Sequence, residues 1–363
     1  MNVDDAIALD RAPHGSSDDA DLLDFSANTN PVVPDGLEAA YREAFAASRT
    51  YPADPPERFR EAAADYVDCE PESVVPTPGG LAAIRSAIDL AIDPGDAALV
   101  PFPSFGEYAR EVRLRGGTPD FVPADRVLES DPADHAVAIV CHPNNPTGTA
   151  YDRGTLLRFA ERCRAADTPL LVDEAFLGFT DRRSLAGTEG VVVARSLTKL
   201  FGTPGLRAGF AVATGRLGAA LESVRRPWNV SAPALATGTY CMDRSGFVAD
   251  TRERVRTERE RMRDALDERY AVHPSDAPFL LVDVGGEPAT AAGSEDGRAA
   301  TANEDRRTAA DVVAAARDRG VAIRDATTFR GLDRHVRVAV RLPAENDRLL
   351  AAMGVGESGV RDE

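Results

Sequence analysis

The chain contains a single lysine, Lys199, against 41 arginines. Arginine stays protonated near neutrality and is a poor nucleophile, so Lys199 is the one side-chain amine able to form a Schiff base. Cysteine is scarce too. Cys69, Cys141, Cys163 and Cys241 show no C-x-x-C spacing, which argues against a metal site or a disulfide framework. They read as reduced, mostly buried apolar residues. No apolar run approaches the roughly 18 residues a membrane-spanning helix needs. The acidic start, MNVDDAIALD, lacks the apolar segment of a signal peptide. A soluble, cytoplasmic protein is expected. Positive charge is not in excess either. The formal net charge is −17, which argues against nucleic acid or an anionic membrane surface as a partner.

Few lysines with abundant Asp, Glu, Ala and Arg suit a protein that works in concentrated salt. High-GC codon bias would also exchange Lys for Arg, but would not alone make the chain this acidic. At 363 residues the chain can bury a full core, and one large plus one small domain is the natural expectation. Residues 1–35 read as an arm joining the small domain, 36–245 as the large domain and 246–363 as the small one. Helices are expected over 38–48, 57–67, 80–92, 155–165 and 309–318. Short apolar strands are expected at 97–100, 137–141, 170–172, 191–193 and 279–284, and near 321–324 and 336–340. The charged run 247–269 reads as a long solvated helix. The segment at about 285–307, rich in Gly, Ala, Thr and Glu, reads as a flexible insertion. Polar residues follow directly after several of the strands. Such strands suit a parallel sheet covered on both faces, with ligands beyond the strands' carboxyl ends.

The surroundings of Lys199 fit chemistry. Ser196 and Thr198 offer two hydroxyls, and Arg207 follows a Gly/Pro-rich turn and could clamp a phosphate. A reactive amine beside a phosphate site suggests pyridoxal 5′-phosphate (PLP), whose aldehyde takes a lysine and whose ring is an electron sink.

GGL at 79–81, HPNNPTG at 142–148, DEAF at 173–176, SLTK at 196–199 and GLRAGF at 205–210 complete a pattern. In order and spacing, over about residues 14–341, the chain resembles the PLP-dependent aminotransferase superfamily with the aspartate-aminotransferase fold. That implies an α/β fold: a large domain with a mostly parallel, seven-stranded-type sheet covered by helices, plus a smaller α+β domain. Within it the chain looks most like the threonine-phosphate decarboxylases of cobalamin biosynthesis, a sister group of the histidinol-phosphate aminotransferases. HGSS (14–17), LDFSANTNP (23–31) and FRGLDRHVRVAVR (329–341) carry that resemblance.

The resemblance implies roles. Lys199 holds the cofactor and moves protons at Cα. Asp173 faces the pyridine nitrogen, and Asn145 donates to the ring's phenolate oxygen. Phe105 stacks on the ring. Phe176 stands where many relatives have tyrosine. The amides of Gly80, Leu81 and Ala82, with Ser196, Thr198 and Arg207, cradle the phosphate, and Tyr51 reaches the partner subunit's cofactor in a homodimer. His14, Asn28, Asn145, Arg324 and Arg337 are expected to bind a phosphorylated amino acid. The implied reaction is decarboxylation of L-threonine O-3-phosphate to (R)-1-amino-2-propanol O-2-phosphate; transamination of histidinol phosphate or a related substrate is the alternative.

An acidic surface repels itself most where salt is dilute and the screening length grows several-fold. Sedimentation across a salt series should show folded dimers losing order as salt is withdrawn. A protein equally folded and dimeric in dilute buffer would contradict this expectation.

Overall fold

The computed structural model describes residues 7–286 and 307–355, so the expected insertion at about 285–307 lies almost wholly outside the described residues. The chain divides into two compact units. One comprises Met1–Ala12, Thr29–Asn145 and Ala150–Thr251; the other comprises Pro13–Asn28, Pro146–Thr149 and Arg252–Glu363. In chain order the strands are β1 (Leu23–Asp24), β2 (Val74–Thr77), β3 (Ala97–Phe102), β4 (Thr118–Pro123), β5 (Val137–Cys141), β6 (Leu170–Asp173), β7 (Val191–Ser196), β8 (Gly209–Val212), β9 (Ala271–Val272), β10 (Phe279–Asp283), β11 (Val321–Ala322), β12 (Arg324–Asp325) and β13 (His335–Ala339).

The first unit is built on one seven-stranded sheet in the order β2-β8-β7-β6-β5-β3-β4. Only β8 runs against its neighbours, so the carboxyl ends of β2, β3, β5, β6 and β7 share one edge. Both faces are covered, and β5 and β6 are accordingly buried along their whole length. β4 alternates exposed and half-buried residues because it lies at the rim, which hides it from a search for continuous apolar runs. β2 and β8 were likewise not expected from the sequence.

The helices of this unit include α1 (Leu37–Ala47), α2 (Glu57–Val67), α3 (Gly80–Ala91), α4 (Glu107–Leu114), α5 (Arg153–Ala165), α6 (Gly215–Val224) and α7 (Ala232–Met242). α3 matters most for the site. Ala83, Ile84, Ala87 and Ile88 recur at helical spacing and bury one stripe in the sheet's core. That packing points the amino end of α3 at the edge where β7 ends. The next helix, α8 (Ser245–Leu266), spans the division between the units. It corrects the reading of a solvated helix: Val248, Thr251, Val255, Glu258, Met262 and Leu266 are buried at intervals of three or four, and only its other faces are charged and wet.

The second unit carries an antiparallel sheet in the order β12-β13-β10-β9, a parallel pair of β1 with β11, and helices α9 (Ala309–Asp318) and α10 (Pro343–Ala352). Thr308 and Asp311 form a reciprocal capping box that starts α9.

His273 and His335 meet in this unit with their Nε2 atoms 3.3 Å apart. Burial pushes both imidazoles below their ordinary range; Asp283 opposes the shift in both, and His335 also feels Asp333, Arg334 and the charge of His273. The unfolded chain therefore takes up protons first as pH falls through about 6.5. The stability held by the neutral pair is complete above that pH and is lost below it. His335→Gln should flatten the decline in urea midpoint between pH 7 and 5 relative to wild type. An unchanged slope would contradict the assignment.

Candidate active site

Lys199 sits three residues beyond β7, on a loop whose other members, Leu197, Thr198, Leu200 and Phe201, are buried. Asn30 pins the loop: its N–H donates to the Lys199 carbonyl at 2.9 Å and its Nδ2 to the Leu200 carbonyl at 2.8 Å. Gly202, at φ +69°, passes so close that a Cβ there would stand 2.8 Å from the carbonyl oxygens of Asn30 and Val32. The motif LDFSANTNP thus supplies Asn30, which the sequence reading overlooked, to the loop that bears the amine.

Asp173 ends β6, the middle strand of the sheet, in register with Cys141 on one side and Ala194 on the other. The residue is 5% exposed. Oδ1 accepts the Ala175 N–H at 2.9 Å and Oδ2 accepts the Tyr108 hydroxyl at 2.5 Å. Burial raises its pKa above the usual carboxylate range, while those two donors and Arg195 pull it back and the Glu174 charge adds to the rise. A cation placed against this carboxyl would restore the anion. Asn145 is buried just beyond β5. The Phe105 ring meets Tyr108 edge-on at 5.6 Å, and Phe176 is buried three residues beyond Asp173.

At the amino end of α3, Gly80 lies against Ser196, where a Cβ would be 3.3 Å from that of Ser196. The Ser196 and Thr198 hydroxyls are 3.0 Å apart. Arg207 adopts a left-handed backbone at φ 55°, and its guanidinium crosses Gly79, where a Cβ would stand 2.5 Å from Nη2. No acidic residue occupies the first turn of α3. Of the three expected amides, that of Ala82 already donates to the Gly79 carbonyl at 3.2 Å. Gly80 and Leu81 keep the N–H groups that a helix start cannot pair within itself, where an anion is favoured.

Tyr51 is exposed and stacks on the exposed Trp228 at 4.4 Å. The remaining expected residues belong to the second unit. His14 is exposed, while Asn28 is buried with no hydrogen-bond partner for Oδ1. Arg324 donates to the Pro13 and His14 carbonyls at 2.8 Å each. Arg337 is buried and donates to the Ser26 carbonyl at 2.9 Å; burial and the Arg324 charge push its pKa down to about 9, against the pull of Asp24.

Sequence reasoning missed three further features here. Tyr108 could have been suspected only from its spacing to Phe105. Asn30 carried no signal beyond its motif. Glu174, beside the expected Asp173, pairs with Arg195 at 3.2 Å with both side chains almost fully buried. It also accepts from Ser184 Oγ and the Leu185 N–H, so the pair fastens the turn after β6 to β7.

An amine, a buried carboxyl that a cation would ionise, and a positively polarised helix start share one sheet edge. These residues fit an aldehyde-bearing, phosphorylated pyridine, and their arrangement defines a PLP-dependent enzyme. The chain matches the family of class I and II aminotransferases over residues 20–353 and belongs to it; its cofactor is PLP. It is 28% identical over 348 residues to histidinol-phosphate aminotransferase 2 of Archaeoglobus fulgidus, covering 92% of this chain and 93% of that one. It is 30% identical over 360 residues to a protein of Caldanaerobacter subterraneus provisionally named a threonine-phosphate decarboxylase, covering 92% and 90%. Among solved structures, the L-threonine-O-3-phosphate decarboxylase of Porphyromonas gingivalis superposes with a TM-score of 0.76 at 25% identity, over 91% of this chain and 98% of that one.

Breaking a buried ion pair leaves one charge uncompensated. Arg195→Met should lower the unfolding free energy by about 3–5 kcal/mol in urea titrations. A loss below about 1 kcal/mol, the range of exposed pairs, would contradict the structural weight given to Glu174 and Arg195.

Proposed function

We propose that this enzyme decarboxylates L-threonine O-3-phosphate, releasing carbon dioxide and (R)-1-amino-2-propanol O-2-phosphate. The observation that carries the reading is a pair of like charges. Arg324 on β12 lies directly opposite Arg337 on β13. Both guanidinium groups lie 5.7 Å from the centre of the Phe329 ring. Like charges facing each other across strands destabilise a sheet, and burial raises the penalty. The buried Nε of Arg324 has no hydrogen-bond partner. A small substrate carrying two anionic groups a few bonds apart would offset this cost. Threonine phosphate is such a molecule, whereas histidinol phosphate has no carboxylate.

In this reading Arg337 takes the carboxylate in the bidentate manner arginine favours. Arg324 and His14 take the phosphate, with Arg324 also fixing the carbonyls on either side of the His14 backbone. Gly15 fits closely, since a Cβ there would lie 3.3 Å from Arg337 Nη2. Asn28 Oδ1 is an acceptor suited to the substrate's amino group. PLP, when bound, would supply the electron sink for the bond broken at Cα. By holding the phosphate and the carboxylate, His14 and Arg337 would select the bond to the carboxylate as the one that breaks. Asp173 would hold charge opposite the ring nitrogen and Asn145 would donate to the ring oxygen. Lys199 would hold the cofactor by its aldehyde and would supply the proton that Cα takes up. Phe176 withholds the donor that a tyrosine would bring.

We assign the first unit as the PLP-binding domain and the second as the smaller domain. The active form is a homodimer in a salty cytoplasm, in which the exposed Tyr51–Trp228 stack meets the partner. Transamination of histidinol phosphate is the second reading, favoured by the name of the Archaeoglobus fulgidus relative.

Incubation of the holoenzyme with threonine phosphate, without any keto acid, should release carbon dioxide in step with amine product. His14→Ala should slow this, and Lys199→Ala should abolish it. Amino transfer from histidinol phosphate or glutamate at catalytic speed, with no carbon dioxide from threonine phosphate, would replace this reading with the second.

A further inference from the structure

Asp173 is balanced between two charge states, and a core side chain, Tyr108, turns its one polar atom to the carboxyl. Tyr108, in the first turn of α4, is fully buried. Its hydroxyl approaches Asp173 Oδ2 at 2.5 Å, a length usual for charge-assisted bonds to a carboxylate. The Ala175 N–H takes the other oxygen. Cys141, in register with Asp173 on the neighbouring strand, gives its thiol to the Pro143 carbonyl at 3.4 Å and also meets the Tyr108 hydroxyl, so the phenol is the strong side-chain donor to Asp173. The charged pair of Glu174 and Arg195 contributes opposing effects. Burial and the Asp173 charge hold the Tyr108 phenol well above its ordinary pKa. It can therefore give a hydrogen bond but not a proton.

We propose that Tyr108 is a positioning residue that keeps Asp173 anionic despite its burial, and thereby keeps a proton on the ring nitrogen of bound PLP. The inference rests on Asp173 facing that nitrogen, but not on which substrate is turned over. One proton is shared between the pyridine nitrogen and the carboxyl. A hydrogen bond to the carboxylate stabilises the state in which the nitrogen holds it. Removing the donor raises the carboxyl's proton affinity and moves the proton off the ring. The electron sink weakens although no atom touching the cofactor has changed.

The test uses holoenzyme reconstituted with PLP labelled with nitrogen-15 in the ring. Its nitrogen chemical shift reports protonation without any turnover. Wild type should show a pyridinium shift. In Tyr108→Phe, which keeps the buried ring, the ratio of protonated to neutral nitrogen should fall about ten-fold or more, the scale of a hydrogen bond to a charged group. Should that variant fold poorly, 3-fluorotyrosine at position 108 supplies the opposite change. Its more acidic phenol is a stronger donor and should hold the pyridinium shift to higher pH. A neutral nitrogen in wild type, or identical nitrogen shifts in wild type and both variants, would overturn the proposal. Neither result would bear on carbon dioxide release, so the inference and the proposed reaction fail separately.

Discussion

A carboxyl group almost sealed from water, at the end of the middle strand of a seven-stranded sheet, is the constraint on which the site depends. Asp173 can be charged there only if its neighbours compensate. Those neighbours come from separate elements. Ala175 lies in the turn after β6, Tyr108 in α4 and Arg195 in β7. The parallel register of β5, β6 and β7 brings them together, and the same register places Asn145 and the Lys199 loop at the same edge. A sheet that must be covered on both faces to be stable thus creates a dry edge where one charge has large effects.

The second unit shows the same logic with opposite sign. Arg324 and Arg337 face one another across two strands and share Phe329, in a chain with a large excess of acidic residues. Cations so placed are costly unless anions join them, and the proposed doubly anionic substrate is the simplest such partner. Arg324 also ties down the backbone on either side of His14 through two carbonyl contacts. One guanidinium therefore shapes the segment through its Nη atoms while its buried Nε stays unpartnered.

The fold was legible to the extent that its elements are continuous and apolar. β5, β6, β7 and β10 are short runs buried along their length or nearly so, and α2 and α3 carry clear helical stripes. β4 was not, because an edge strand with prolines at Pro119 and Pro123 shows no unbroken run. α8 was misread for a related reason: its charges dominate its composition and mask the buried stripe from Val248 to Leu266. In the site, residues next to strand ends were legible by position, as for Asp173, Asn145 and Lys199. Tyr108 and Asn30 were not, since their importance lies in partners 65 residues away for Tyr108 and 170 for Asn30. The opposition of Arg324 to Arg337 depends on strand register, which no local pattern states.

The central claim is that the bond broken at Cα is the one to the carboxylate. The direct measurement is turnover of L-threonine O-3-phosphate in deuterium oxide, with both product and recovered substrate examined by proton NMR. The account predicts an amine product bearing one solvent deuterium at the former Cα, and recovered substrate that retains its original Cα hydrogen. Recovered substrate with its Cα hydrogen exchanged for deuterium, and no decarboxylated product, would show that the Cα–H bond is the one held upright and would contradict the account.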